Sequence, residues 1–257
     1  MKTLLLLLLL PAAVPFGRPQ PQPVAASRVP VVVELFTSEG CSSCPAADAV
    51  LRELAASQPV PGVEVLVLGE HVDYWNRLGW ADPFSAPEFS ERQRAYARTF
   101  GEGSYTPQAV VAGQYELVGS RRPQLLQRIA EAARAPRASV QLRYAGGSLA
   151  VQVAGLPAST AAATVELALT EANLATQVKA GENAGHLLPH APVVRLLRQL
   201  GTASSATCFS AAVPLRLAPA WQAANLRAVV LVRDNRSQRV LGAASLPLAA
   251  AGAAPAE

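Results

Sequence analysis

Cysteine is scarce: the 257 residues hold three, together with three histidines and one methionine. Two of the cysteines, Cys41 and Cys44, stand close together, and Cys208 is far away. That count excludes a disulfide-stapled scaffold, which needs more cysteines at spread positions. It also excludes a structural zinc ribbon, because no second close pair completes a tetrahedral set. Lysine is rarer still, with only Lys2 and Lys179, so the basic side chains are almost all arginine. The formal charge is +4, and setting aside Lys2 and Arg18 leaves 20 basic against 18 acidic groups. The arginines are scattered, so no groove for nucleic acid is expected. Charged residues make up 16% and hydrophobic residues 51%, which excludes a disordered chain.

Long hydrophobic runs are missing except at the N-terminus. Lys2 is followed by leucines over residues 4–10, which Pro11 ends, and a small-residue site follows at Val24-Ala25-Ala26. The run is too short to span a bilayer, which disfavours an uncleaved anchor, so residues 1–26 read as a signal peptide. The expected location is the periplasm or the exterior. No cysteine stands near this leader to carry a lipid. Export brings the cysteines into an oxidising compartment where thiols pair.

Residues 31–36 are apolar except Glu34, as in a buried parallel strand. A turn, the motif Cys41-Ser42-Ser43-Cys44 and Pro45 lead into a helical pattern over residues 46–56. Residues 63–68 repeat the strand signal, giving a right-handed β-α-β unit. Residues 71–84 are rich in aromatics and turns. A helix is expected over 87–100, short strands over 108–112 and 115–118, and a helix over 121–134. Around Pro136-Arg137 the pattern changes to alternating short strands near 139–144, 148–153, 164–169, 208–217, 228–233 and 240–246. A helix is expected over 193–200, and a loose Ala-rich tail after Leu248. These patterns divide the chain into an α/β domain over 29–135 and a smaller all-β, sandwich-like domain over 137–249.

The placement of the motif carries the chemistry. A cysteine between a strand and the start of a helix meets free N–H groups and a partial positive charge, which favour a thiolate. Cys41 is the expected attacking sulfur, reachable from solvent, and Cys44 the resolving one. The rival reading is a passive disulfide stapling the helix start. The pair and Thr106-Pro107 together resemble thioredoxin-like proteins, in which a cis proline faces the cysteine pair, and the threonine is similar to periplasmic disulfide isomerases. That resemblance implies an α/β thioredoxin-like domain of mixed sheet and flanking helices. It also suggests a proton-relay role for Glu34, one residue out of the family's register. Gly40 before the first cysteine and Ser42-Ser43 between the two depart from ordinary thioredoxins. More closely, residues 33–45, His71-Val72-Asp73-Tyr74-Trp75, Leu78-Gly79-Trp80, Tyr105-Thr106-Pro107-Gln108 and Gly181-Glu182-Asn183-Ala184-Gly185 resemble the secreted bacterial family DUF1223. The resemblance implies a thioredoxin-like domain with an added β-rich domain and settles no activity.

His71 follows the second strand, on the sheet edge where the cysteines lie, and is placed to stabilise a thiolate or move protons. Asp73 is expected to orient it, and Tyr74, Trp75 and Trp80 to line a groove for an extended peptide. The rival is an aromatic mini-core capped by histidine. His186 and His190 have metal-pair spacing only on a helix, which Pro189 disfavours, so a structural loop is expected. Cys208 is expected buried and inert in a strand. The sequence thus points to a thiol–disulfide oxidoreductase or isomerase acting on protein thiols or disulfides, with a membrane redox partner and no cofactor or metal. The alternatives are a copper-handling protein using the thiols and His71, and a thioredoxin-like module whose disulfide stays closed.

Overall fold

The computed structural model describes residues 28–249. The signal peptide expected over 1–26, and nearly all of the Ala-rich tail, lie outside the described residues.

The first part runs β1 (Val29–Thr37), α1 (Cys44–Ser57), β2 (Val63–His71), α2 (Pro87–Phe100), β3 (Gln108–Val111), β4 (Tyr115–Val118) and α3 (Arg122–Ala132). This is the expected β-α-β-α-β-β-α order of a thioredoxin-like domain. The second part adds β5 (Ser139–Ala145), β6 (Ser148–Ala154), β7 (Ala163–Glu171), β8 (Ala175–Gln177), β9 (Leu187–Pro189), β10 (Val193–Ala203), β11 (Phe209–Pro214), β12 (Leu226–Asp234) and β13 (Val240–Pro247). Eight strands form one mixed sheet in the order β13-β12-β7-β10-β2-β1-β3-β4, so the second part extends the sheet of the first. A three-stranded sheet, β11-β6-β5, packs on the extension over Leu149, Val151, Val165, Leu167 and Val230. That is the smaller, sandwich-like β part.

One expected element is different. Residues 193–200 form strand β10, not a helix. Val193-Val194 and Leu196-Leu197 fit either period, and register shifts at Val194/Leu196 and Gln199/Gly201 break the simple alternation that marks a strand. Pairing with β7 along its length decides the outcome.

Alternation along β1 and β2 sorts the site. Val31, Val33 and Leu35 face α1 and α3 with Ala47, Leu51 and Ile129, and Val65 and Val67 join them from β2. Val32, Leu66 and Leu68 face the opposite side, where Phe89 of α2 packs. Thr37 stands opposite His71 at the ends of the two strands, and Phe36 opposite Glu70. β2 and β10 pair at one position, Val193 with Gly69. The adjoining gap is a cavity of about 420 Å³, lined by Arg52, Gln58, Glu64, Thr170, Arg227 and His190 among others.

Candidate functional site

Cys41 and Cys44 are joined in a disulfide with their Cα atoms 5.4 Å apart. Thr37 ends β1, the turn Ser38–Glu39–Gly40 follows, and α1 begins at Cys44 with Pro45 in its first turn. The Cys41 Sγ lies 3.4 Å from the Ser43 hydroxyl. Thr106–Pro107 is a cis peptide bond. A Cβ built on Gly119 would come 3.0 Å from Ala47 Cβ and 3.7 Å from Pro107 Cβ, so the proline loop lies against the start of α1. Trp75 joins the two parts of the site: its indole N–H donates to Thr106 Oγ1 at 2.9 Å, and its Cβ sits against Gly40.

The expected reachable sulfur is not on the surface. Cys41 and Cys44 are each 1% exposed, while Ser42 and Ser43 between them are open. The second part of the chain is bonded to the turn that carries them. β8 and β9 form a hairpin whose tip folds over the cysteine turn. Asn183 Nδ2 donates to the carbonyls of Glu39 at 2.8 Å and Cys41 at 3.0 Å, and Ser42 N–H donates to Glu182 Oε2 at 2.9 Å. Gly181 sits against Trp80, at a positive φ of 77° where a side chain would be strained.

Behind the disulfide is a buried polar cluster on the α1 side. His71 Nδ1 lies 2.7 Å from Asp82 Oδ2, which also accepts the N–H of Glu39 at 2.9 Å. Asp82 therefore orients His71. Asp73, expected in that role, instead accepts the Ser90 hydroxyl. Burial opposes a charged His71, but the Asp82 carboxylate and its hydrogen bond, aided by Asp48 and Glu39, hold the pKa above its ordinary value. Burial likewise opposes the Asp82 carboxylate, and the imidazole with its hydrogen bond outweighs this, so its pKa is held low. Asp48, one turn into α1, accepts the Thr37 hydroxyl at 2.7 Å and the N–H of Ala191 at 2.9 Å. His190 is buried beside it, with Nε2 3.1 Å from Glu39 Oε1. Its ring is 5.1 Å from that of His71, and Phe84 packs edge-on against both.

Glu34 belongs to the other face. Its carboxylate accepts from Arg92 and from the Tyr96 hydroxyl, at 2.6 Å for the latter, so both oxygens are occupied on the α2 side. The buried acid on the cysteine helix is Asp48, which hydrophobic patterning did not single out. Tyr74 bonds Gln93, and Trp80 donates to Glu39 Oε2 at 2.6 Å, so the aromatics brace the site while remaining half-exposed. His186 is exposed near the hairpin tip and forms no pair with His190. Cys208 is exposed and free just before β11, contrary to expectation. Its neighbours Ser204-Ser205-Ala206-Thr207 form a turn, and that local chemistry overrode the strand pattern.

The fold matches solved structures. A structural-genomics target from Agrobacterium tumefaciens, protein AGR_C_4864, is 28% identical over 84% of this chain and 93% of its own, with a TM-score of 0.65. HBP35 of Porphyromonas gingivalis is 14% identical over 90% of this chain and 78% of its own, with a TM-score of 0.60, a likeness of fold. No curated protein matches the chain. A disulfide at the strand-to-helix junction of a thioredoxin-like sheet supports a redox-related role. The model of one family, described as "Protein of unknown function (DUF1223)", matches residues 32–233, and the chain belongs to that family.

Proposed function

We propose that the chain is an exported thiol–disulfide oxidoreductase or isomerase whose oxidised form is covered by its own hairpin. The observation that carries this reading is the Cys41–Cys44 disulfide at the start of α1, tied through Trp75 to the Thr106-Pro107 loop. In the dithiol form, the helix start and the Ser43 hydroxyl favour a Cys41 thiolate. That thiolate attacks a disulfide sulfur of a partner protein. A Cys41–partner bond forms, the partner bond breaks, and the departing sulfur takes up a proton. Cys44 then loses its proton and attacks Cys41, the mixed bond breaks, and the partner leaves as a dithiol. The reverse sequence oxidises a partner. A membrane-bound dithiol or disulfide protein returns the couple to its starting state. Tyr74, Trp75 and Trp80 flank the turn where an extended peptide would lie once the hairpin tip lifts.

Replacing Cys44 with Ser is expected to trap mixed disulfides with protein substrates. Replacing Cys41 with Ser is expected to abolish exchange and trap none. Full insulin-reduction or isomerase activity in both variants would end this reading. The burial of both sulfurs favours one alternative, a module whose disulfide stays closed. A reduction potential below about −300 mV, the range of structural disulfides, would favour it.

A further inference from the structure

Two buried atoms behind the disulfide have no hydrogen-bond partner: His71 Nε2 and Glu39 Oε1. Such groups are costly unless something satisfies them. His71 is 1% exposed, and its other nitrogen is already held by Asp82. One potential ligand atom from each of Asp48, His71 and His190 falls within 4.8 Å of the other two. A cavity of about 10 Å³, room for one water or one ion, is lined by these three residues with Thr37, Pro45 and Leu188.

We propose that Asp48, His71 and His190 bind one divalent transition-metal ion, with zinc the best match. Two imidazoles and a carboxylate are the nitrogen and oxygen donors that such ions take. The Asp82–His71 contact is the outer support common to metal-bound histidine: a carboxylate holds the second ring nitrogen and fixes the first as the free donor. Glu39 Oε1 lies 3.1 Å from His190 Nε2 without a hydrogen bond to it, and the Thr176 hydroxyl is 3.2 Å from the same nitrogen. Asp48, Asp82 and Glu39 place three buried carboxyl groups around the two imidazoles, an oxygen- and nitrogen-rich pocket out of water. Ligand atoms around an ion with bonds of about 2.0–2.2 Å are roughly 3.3–3.6 Å apart, so the three groups need to draw in by about an ångström. His190 also lines the 420 Å³ cavity, which offers the ion a way in. The ligands come from α1, from the end of β2 and from the segment before β10, so the ion ties the second part of the chain to the cysteine helix. No thiol takes part, and the site stands whether or not the disulfide is catalytic.

The test uses the full oxidised chain, stripped with chelator and titrated with zinc or cobalt(II) alone. One ion per chain is expected. His190→Gln and Asp48→Asn should each weaken binding at least tenfold, and Asp82→Asn about 10- to 100-fold. The Cys41→Ser/Cys44→Ser double variant should bind as the parent does. Absence of saturable binding, a loss under tenfold in both ligand variants, or dependence on the cysteines would overturn the proposal. If a ligand variant fails to fold, the parent still decides. Cobalt should displace the ring-proton resonances of His71 and His190 but not those of His186, the third histidine of the chain. Displacement of His186 alone, or a thiolate-to-cobalt absorption band, would overturn it.

Discussion

Asn183 gives both amide hydrogens to the cysteine turn, one to Glu39 and one to Cys41. Each such bond contributes about 1 kcal/mol net. Asn183→Ala should therefore ease opening of the hairpin tip by about 2 kcal/mol. The expected result is a rise of roughly tenfold or more in the rate at which a small thiol reduces the disulfide, with global stability changed far less. An unchanged rate would mean that the tip does not guard the bond. Cys208 offers a second check at this scale: it is exposed and free, so one thiol per chain should react with an aromatic disulfide reagent without denaturant. At the residue level the sequence showed the cysteine pair, the following helix and the Thr106-Pro107 loop, because each leaves a local mark. It did not show Asp48 or Asp82, and it marked Asn183 only as part of a family motif with no contact attached. Their partners are 11, 11 and 142 residues away, and polar residues in a helix, a turn and a loop carry no signal of what they will meet. Glu34 was misleading for a related reason. One step of strand register turns a side chain to the opposite face, and the acid one residue out of place is held by Arg92.

At the level of elements, the contact between β2 and β10 rests on Gly69. Its N–H donates to Pro192 O at 2.7 Å, and a Cβ there would come 2.9 Å from that oxygen. Gly69→Val should force the strands apart and cost about 3 kcal/mol, at the upper end for overpacking. The shift would be read in denaturant unfolding, and it should also loosen His190, two residues before Pro192. Stability equal to the parent would show that β10 is held by β7 alone. The helices and most strands were legible because their apolar spacing is regular. β10 was not, since its bulges blur the period, and β8 and β9, at three residues each, are too short to show one.

Across the whole molecule, α2 straddles both parts of the large sheet. Phe89 shares one buried cluster with Val32 and Leu66 from one part and with Ala168 and Val229 from the other. Arg92 reaches Glu34 on β1 and Glu166 on β7, and Glu166 also pairs with Arg233 of β12 at 2.7 Å. Burial raises the Glu166 pKa, but the charges of Arg92 and Arg233 outweigh it and hold the carboxyl below its ordinary 4.5. A lowered folded value contributes stability that is complete above pH 4.5 and is lost as the pH falls through the lower value. Glu166→Gln should cost about 3 kcal/mol at pH 7, since it leaves buried guanidinium groups short of a partner. It should also flatten the acid limb of the stability profile below pH 4.5. A variant that keeps the parent's acid limb would place that sensitivity elsewhere. No local pattern announced that the two parts share a sheet: alternation reports which side of a strand is buried and is silent on its neighbours.

The hairpin that covers the cysteines is built from late sequence. A chain that emerges N-terminus first presents Cys41 142 residues before Asn183. Until residues 182 and 183 follow it into the oxidising compartment, nothing from the hairpin is bonded to the cysteine turn, and the sulfur bond can close first. In the finished molecule Glu182 and Asn183 are bonded to that turn, so a reductant meets the bond with the later strands already in place around it.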